Sequence, residues 1–203
     1  LIQNDTLQDK DIIRYVVRKL GGLEESASRT EENFCRVMES IGNVGEPLPP
    51  MSSPIENFEY SRAGASVGER INPFIKVTVQ HQGLDMIASQ GEPVLAPADG
   101  TVSELKKSSK GLGNVVAISH PGGYTTRYAH LSETRVSLGQ NVRKGAVIGK
   151  VGVSGNSFAP HLHYEVWKEG IVVDPVDYFF ASAGPSDYME MLFVSANAKQ
   201  SMD

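Results

Sequence analysis

The sequence predicts a mainly β protein, a β-sandwich with helices before and after it, and three observations support this prediction. From about residue 55, short apolar runs are separated by Gly, Pro, Asn and Asp, which is the pattern of short strands in a sandwich or barrel. Residues 1–42 carry apolar positions at helical spacing instead. Residues 45–54 contain four prolines, which neither a helix interior nor a central strand accepts.

The first segment is predicted to be a helical hairpin. Gly21-Gly22 is expected to end its first helix, and a second helix is expected from about residue 28 to Gly42, with acidic residues in its first turn. We interpret the hairpin, residues 1–44, as a packing appendage. The apolar stripe of its first helix consists of Ile12, Ile13, Val16, Val17 and Leu20.

The proline-rich linker at 45–54 separates this appendage from the predicted sandwich at 55–182. Within the sandwich, residues 91–102 and 139–151 share a Gly-x-x-Val pattern, which predicts two related hairpin units. Residues 183–203 are expected to form a short helix and a tail that frays beyond Asn197. The buried face of that helix is predicted to contain Tyr188, Met191, Leu192 and Ser195.

The composition excludes some functions. The formal net charge is −5, which gives no support for nucleic-acid binding. A single cysteine, Cys35, excludes an intrachain disulfide but does not decide the compartment. No stretch has the length of a membrane span. Because the chain does not begin with Met, the sequence is compatible with an upstream signal or anchor.

Four of the five histidines lie in three short patches. His161 and His163 are two residues apart and project from one face of a strand. His81 and Asp85 share a face in the same way, and His130 ends a third run. A catalytic zinc site takes three protein ligands and leaves a position for water. The residues therefore predict zinc bound by His81, Asp85 and one member of the His-Leu-His pair, with the other histidines available for proton transfer and oxyanion stabilisation.

Eight motifs surround these residues between about residues 64 and 180, and as a set they resemble the LytM/lysostaphin-type zinc metallopeptidases. The resemblance implies a β-sandwich of the duplicated hybrid motif or lysostaphin-like type. The motifs are Arg70-x-x-Pro73-Phe74, His81-x-Gly-x-Asp85, Pro93-Val-x-Ala-Pro-Ala-Asp-Gly-x-Val102, Gly113-Asn-x-Val116, Tyr128-Ala-His-Leu131, Gly139-Gln-x-Val142, Gly145-x-x-Ile-Gly149 and Pro160-His-Leu-His-Tyr-Glu165.

Matched by position, the resemblance assigns His81, Asp85 and His163 to zinc. It assigns His130 and His161 to the activation of water and the stabilisation of the tetrahedral intermediate. It implies an endopeptidase that hydrolyses peptide cross-links or stems of bacterial peptidoglycan in the cell envelope, either periplasmic or anchored to a membrane. An acidic chain without a wall-targeting repeat favours a Gram-negative periplasm and a D-Ala–meso-diaminopimelate cross-link. The N-terminal helices are interpreted as a surface for an envelope protein partner or for self-association.

Three other functions stay open at this point. A non-catalytic regulator is disfavoured by the five filled positions, but an autoinhibited form, covered by the N-terminal helices or the linker, would keep every residue. A phosphoryl-carrier domain of similar β architecture is disfavoured because Asp85 would repel a phosphoryl group. A lipoyl or biotinyl carrier needs an exposed turn lysine between hydrophobic residues, which the sequence lacks. The fifth histidine, His120, is interpreted as structural or as a contact at the rim of the site.

Overall fold

The structure is a computed structural model that describes residues 5–42 and 48–203. Its helices are α1 (Asp5–Gly42) and α2 (Pro185–Asn197), with short 3₁₀ helices at Tyr60–Arg62, Pro121–Gly123 and Pro175–Ala181. Its strands are β1 (Gly68–Ile71), β2 (Thr78–His81), β3 (Leu84–Ile87), β4 (Pro93–Leu95), β5 (Gly100–Lys106), β6 (Val115–His120), β7 (Tyr124–Ala129), β8 (Glu133–Thr134), β9 (Asn141–Val142), β10 (Val147–Lys150), β11 (His161–Lys168) and β12 (Ile171–Val173). The predicted mainly β fold with helical structure at both ends is confirmed.

The largest sheet is antiparallel and carries most of the predicted site residues. Its order is β12-β11-β7-β6-β5-β9, and β3 pairs with the first half of β11. Two smaller sheets have the orders β4-β10-β8 and β1-β2. The two stretches with a repeated pattern, residues 91–102 and 139–151, pair with each other twice, as β4 with β10 and as β5 with β9. The two stretches are thus related, but neither folds back on itself as a hairpin, so the prediction of two hairpin units is wrong.

The hydrophobic core joins the two larger sheets, the 3₁₀ helix at Pro175–Ala181 and α2. Burying a large apolar side chain contributes about 1.5–3 kcal/mol relative to leaving it exposed. The strands that carry the site are therefore held in a rigid frame. Its largest fully buried side chains include Tyr128, Tyr164, Phe179, Ile148 and Met191.

The face that α2 buries is the predicted one, and this part of the prediction is confirmed. The predicted fraying beyond Asn197 is wrong. Residues 198–203 run in an extended conformation beside β1, where the Ile71 N–H donates to the Lys199 carbonyl at 2.9 Å. Backbone pairing with a strand edge supplies the hydrogen bonds that a frayed end would lack. The buried residues of α2 are Tyr188, Met191, Leu192 and Ser195.

The predicted helical hairpin is also wrong, because Asp5–Gly42 is one continuous helix. A glycine ends a helix when it adopts the left-handed conformation, and neither Gly21 nor Gly22 has a positive φ. Inside a helix each glycine costs only about 1 kcal/mol relative to alanine. The apolar stripe of this helix is exposed, with fractions from 45% at Val16 to 62% at Val17.

The middle of α1 contacts the rest of the protein through polar side chains. Arg29 donates to Asp177 at 2.7 Å, and the Asn33 amide donates to the Tyr188 hydroxyl at 3.2 Å. The Lys19 ammonium lies 4.7 Å from the centre of the Phe193 ring. In the part of the chain that the structure describes, no helix is both long and apolar enough to cross a membrane.

Candidate metal centre

Strand β11 is the element on which the site is built. β3 pairs with one edge of β11 so that Asp85 lies opposite His163. β7 pairs with the other edge and ends at Ala129, which also lies opposite His163, so that His130 follows directly. His161 precedes His163 by two residues and shares its face. The sheet register thus brings four of the five predicted residues together.

The fifth, His81, ends β2, and a two-residue connection leads from it into β3. Gly83 lies in that connection. A Cβ atom at Gly83 would stand 2.6 Å from the Tyr164 carbonyl oxygen and 2.9 Å from Nε2 of His163. Both distances are too short for a real Cβ, so the approach of His81 to β11 requires glycine here.

Three atoms of these residues form a triangle with equal sides. His81 Nε2, Asp85 Oδ1 and His163 Nδ1 are 3.1 Å from one another, and we call them the donor triangle. All three side chains are buried. Tetrahedral zinc with bonds of about 2.0–2.1 Å has donor-to-donor distances of about 3.3 Å. The donor triangle therefore has the size of one face of a zinc site.

The outer nitrogen of each imidazole points away from the donor triangle towards an acceptor. His81 Nδ1 lies 3.1 Å from the Ser66 carbonyl oxygen, and His163 Nε2 lies 3.3 Å from Glu165 Oε1. Because carbonyl and carboxylate oxygens accept hydrogen bonds, each outer nitrogen carries a proton, which leaves the inner nitrogen of each ring as its metal-binding atom. Two inner nitrogens and a carboxylate oxygen this close need a proton or a metal ion among them. This is the arrangement of metal ligands, and the residues fit a divalent metal.

The other two histidines, His130 and His161, show the same polarity. Their Nδ1 atoms donate to the carbonyl oxygens of Ser154 at 2.7 Å and Ala159 at 2.8 Å. Their Nε2 atoms are buried and have no hydrogen-bond partner among the described residues. Nε2 of His161 lies 3.8 Å from Oδ1 of Asp85 in the donor triangle. The two histidines therefore offer proton-accepting atoms beside the donor triangle without belonging to it.

The pKa values reflect the concentration of carboxylates around buried imidazoles. Burial lowers the pKa of His163, but hydrogen bonds to Asp85 and Glu165 outweigh it and raise the pKa to about 10. Burial raises the pKa of Asp85, but its hydrogen bonds to His163 and His81 outweigh that effect and lower the pKa. Burial lowers the pKa of His161, which keeps this imidazole neutral and able to accept a proton at pH 7.

Glu165 is a functional candidate to which the sequence interpretation gave no role. Its Oε1 accepts from His163, while its Oε2 accepts from Trp167 at 2.6 Å and from Arg127 at 3.2 Å. A buried carboxylate in this position orients a ligand histidine and increases its basicity. The spacing contained the signal, because Glu165 follows His163 by two residues and therefore shares its strand face.

Asp203 is a second candidate that the sequence interpretation missed. Its Oδ1 lies 3.5 Å from His81 Nε2, and its Oδ2 lies 3.4 Å from His163 Nδ1 and 3.7 Å from His130 Nε2. No local pattern pointed to it, because it reaches the site from a different part of the chain. Together with the donor triangle it forms a group of four side chains whose ligand atoms all lie within 4.8 Å of one another.

The site opens into a cavity of about 270 Å³, whose lining includes His81, His163, Glu165, Asn156 and Asp203. Within the described ranges, neither α1 nor the linker contributes to this lining. Among the described residues, no contact between α1 and this lining supports the hypothesis that the N-terminal helices cover the site.

The remaining histidine, His120, lies apart from the cluster. Its Nδ1 donates to the Asp99 carbonyl oxygen at 2.8 Å, and its Nε2 accepts from the Thr126 hydroxyl at 2.7 Å. That hydroxyl in turn lies 2.7 Å from the hydroxyl of buried Tyr128. Both ring nitrogens are hydrogen-bonded inside the protein. His120 therefore has the structural role that was one of the two interpretations of the sequence.

A β-sandwich that carries such a cluster defines a class, that of mononuclear metallohydrolases. Residues 79–175 match Peptidase family M23. Among curated relatives, the chain is 45% identical over 122 residues to the DD-carboxypeptidase/endopeptidase Mpg of Neisseria meningitidis, covering 60% of this chain and 28% of that protein. It is 35% identical over 134 residues to the peptidoglycan DD-endopeptidase ShyC of Vibrio cholerae, covering 66% of this chain and 31% of that protein. The chain thus spans less than a third of the length of these relatives.

Solved structures support the same family. The catalytic domain of lysostaphin from Staphylococcus simulans superposes with a TM-score of 0.52 at 30% identity, covering 57% of this chain and 90% of that domain. A zinc-containing peptidase from Vibrio cholerae superposes with a TM-score of 0.52 at 31% identity, covering 61% of this chain and 38% of that one. The chain belongs to peptidase family M23, and the resemblance found in its motifs is confirmed.

Proposed function

We propose that this chain acts as a zinc-dependent endopeptidase on the peptide cross-links or stems of bacterial peptidoglycan. The observation that carries the proposal is the convergence of five inward-facing acceptor groups, three in the donor triangle and two on the neighbouring histidines. One metal ion in the donor triangle, and one proton that a neighbouring histidine takes from the attacking water, satisfy such a set. The relatives named as DD-endopeptidases favour the D-Ala–meso-diaminopimelate cross-link as the bond that is cut, and the cell envelope as the location.

In this proposal His81, Asp85 and His163 hold the zinc ion. The bound ion would polarise the scissile carbonyl and lower the pKa of a water molecule towards neutrality. Two nitrogen ligands and one carboxylate form a donor set that zinc accepts, and a three-ligand set leaves room for water or substrate. Glu165 holds the His163 ring in the tautomer that binds metal.

His130 and His161 move the protons. Each presents an unprotonated Nε2 while its Nδ1–H is anchored to a main-chain carbonyl, so neither ring needs to turn before it accepts a proton. One imidazole takes the proton of the attacking water and later returns it to the leaving amine. The other takes up a proton from solvent at Nε2 before the attack, donates a hydrogen bond to the oxyanion that develops on the carbonyl, and keeps that proton through the step. The two rings are 4.8 Å apart between centres, close enough to serve one reacting carbon.

The phosphoryl-carrier alternative has weak support from this geometry. A phosphoryl group on Nε2 of His161 would stand beside the carboxylate of Asp85, which lies 3.8 Å away. Like charges at this distance in a buried site repel strongly. Phosphoryl transfer between histidines also requires no metal ion, so a carrier function leaves the equal spacing of the donor triangle unexplained.

The test is zinc content and muropeptide release by the purified chain. We expect one zinc per chain and the release of cross-linked stems from purified sacculi, lost on treatment with a chelator and recovered when zinc is added. The His163→Ala variant should lose both properties. The matched control is His120→Ala, which removes a buried histidine outside the site. Because Asp203 lies over the donor triangle, each assay includes Asp203→Ala, and zinc binding without release in both chains would contradict the proposal.

A further inference from the structure

The segment of residues 198–203, which we call the strap, enters the site from the end of α2. On one side it pairs with β1. The Ile71 N–H donates to Lys199 at 2.9 Å, the Ser201 N–H donates to the Ile71 carbonyl at 3.3 Å, and Gln200 forms a parallel bridge with Ile71. Ser201 is buried. The strap therefore lies along the edge of β1 as an added strand, held mainly by its backbone.

On its other side the strap contacts the loop that precedes β11 and the donor triangle itself. The Phe158 N–H donates to the Met202 carbonyl at 2.8 Å, and the Met202 N–H donates to Oδ2 of Asp85 at 2.9 Å. The Asn72 amide donates to the main-chain oxygen of Asp203 at 2.9 Å. These contacts fix the backbone of Asp203 on both sides, and the fixed backbone holds the carboxylate of Asp203 towards the donor triangle.

The carboxylate of Asp203 caps the donor triangle. Its oxygens lie 3.5 Å from His81 Nε2 and 3.4 Å from His163 Nδ1, close to the 3.1 Å sides of the triangle. Asp203 also brings a second carboxylate to within 4.8 Å of Asp85. Two carboxylates this close repel each other unless a positive charge lies between them. Two imidazoles and two carboxylates, whose ligand atoms all lie within 4.8 Å of one another, form a set of four donors that zinc accepts.

We propose that Asp203 is the fourth ligand of the metal ion and that the strap is an inhibitory segment of this chain. The strap occupies the position that water or substrate needs and the edge of β1 with which an extended substrate peptide would pair. Activity then requires the strap to leave. This inference rests on the proposed function for its inhibitory part, whereas the metal-ligand part stands on the donor geometry.

The test compares Asp203→Asn with the unaltered chain and with Asp187→Asn, which makes the same chemical change at an exposed position in the first turn of α2. Zinc affinity is measured by competition with a chromophoric chelator. Coordination is read from the visible absorption of the cobalt-substituted protein. Hydrolysis of sacculi is measured at saturating zinc. The second strap variant is Met202→Pro, which removes the N–H that donates to Asp85 while keeping the carboxylate of Asp203.

For Asp203→Asn we expect zinc binding weaker by about tenfold or more, because a charged ligand is lost, together with a changed cobalt spectrum and hydrolysis that is faster by severalfold. Met202→Pro should change all three readouts in the same directions, and Asp187→Asn should change none. Weaker metal binding together with faster hydrolysis is a combination that a merely structural role for Asp203 would not produce.

Unchanged zinc affinity and an unchanged cobalt spectrum in Asp203→Asn would overturn the proposal, whatever the activity of the chain. Weaker affinity with a slower reaction would overturn the inhibitory role. If zinc affinity falls in both strap variants but no chain hydrolyses sacculi, the proposed function fails while Asp203 is retained as a ligand. The two failures are therefore distinguishable.

Discussion

Replacement of Glu165 by glutamine should weaken zinc binding while leaving the fold intact. Glu165 contacts three partners, and its Oε2 already accepts from both Trp167 and Arg127. In Glu165→Gln the amide oxygen will satisfy those two donors, which turns the amide NH₂ group towards Nε2 of His163. The imidazole would then have to accept at Nε2 and carry its proton on Nδ1, the atom that faces the metal position.

The size of the effect follows from this conflict. Removing a hydrogen-bond partner of a metal-ligating histidine typically weakens metal binding by about 10–100-fold. The 3.3 Å contact between His163 and Glu165 is long for a charged hydrogen bond, which favours the lower limit, whereas the tautomer conflict favours the upper one. We therefore expect a loss of at least tenfold, or about 1.4 kcal/mol of binding free energy.

The assay is competition for zinc with a chromophoric chelator at constant pH. The matched control is Glu104→Gln, because Glu104 also pairs with Arg127, at 3.2 Å, but is partly exposed and belongs to a different strand. Circular dichroism and thermal unfolding of the metal-free proteins establish that both variants are folded. Zinc affinity in folded Glu165→Gln within about twofold of the unaltered chain would refute the positioning role of Glu165.

Three further predictions concern single residues. Gly83→Ala should cost about 1–3 kcal/mol of stability and displace His163, because its Cβ would stand 2.6 Å from the Tyr164 carbonyl oxygen. Chemical denaturation measures the loss of stability, and zinc content measures the displacement of His163. A stable variant with full zinc content would contradict the prediction. Gly21→Ala should stabilise α1 by about 0.5–1 kcal/mol and increase the helical circular dichroism signal, whereas a turn at this glycine would give a loss. Burial lowers the pKa of His120 below 6.5, so this histidine resists protonation in the folded protein. The stability that the neutral histidine provides is therefore complete above about pH 6.5 and declines as the pH falls towards the lowered pKa. Urea unfolding of metal-free protein between pH 7.5 and 5.5 should therefore show a smaller loss in His120→Gln than in the unaltered chain, and equal losses would count against this assignment.

The parts of the site that strand periodicity controls were predictable from the sequence. His161 and His163 share a face because alternate residues of a strand do, and the same rule could have identified Glu165. Which member of the pair meets Asp85 depends on the register of β3 against β11, and spacing alone does not define a register. The motif resemblance supplied that assignment.

Other features depended on energies that local patterns do not contain. The Gly21-Gly22 pair is a common helix end, but glycine terminates a helix only if the next residues gain more from another conformation, and here the helix continues to Gly42. The segment beyond Asn197 has no apolar pattern and was expected to fray. Its order comes from the backbone groups of Ile71 and Phe158, which pair with any sequence and so leave no signature in the side chains.

The backbone contacts of the strap also indicate how it could be released. Its backbone contacts with Ile71 and Phe158 are the kind that any extended peptide could make, so a peptide substrate in the same groove would compete for the same donors and acceptors. What the strap adds is the carboxylate of Asp203, which belongs to a group of side chains that could hold a metal ion and which a neutral peptide lacks. Occupation of the donor triangle by zinc should therefore tighten the strap, and its removal should loosen it. Hydrogen exchange of the Ser201 and Met202 amides, compared with and without zinc, measures this coupling directly. Slower exchange with zinc is expected in the unaltered chain but not in Asp203→Asn. Equal protection in both chains would show that zinc binding and the ordering of the strap are not coupled.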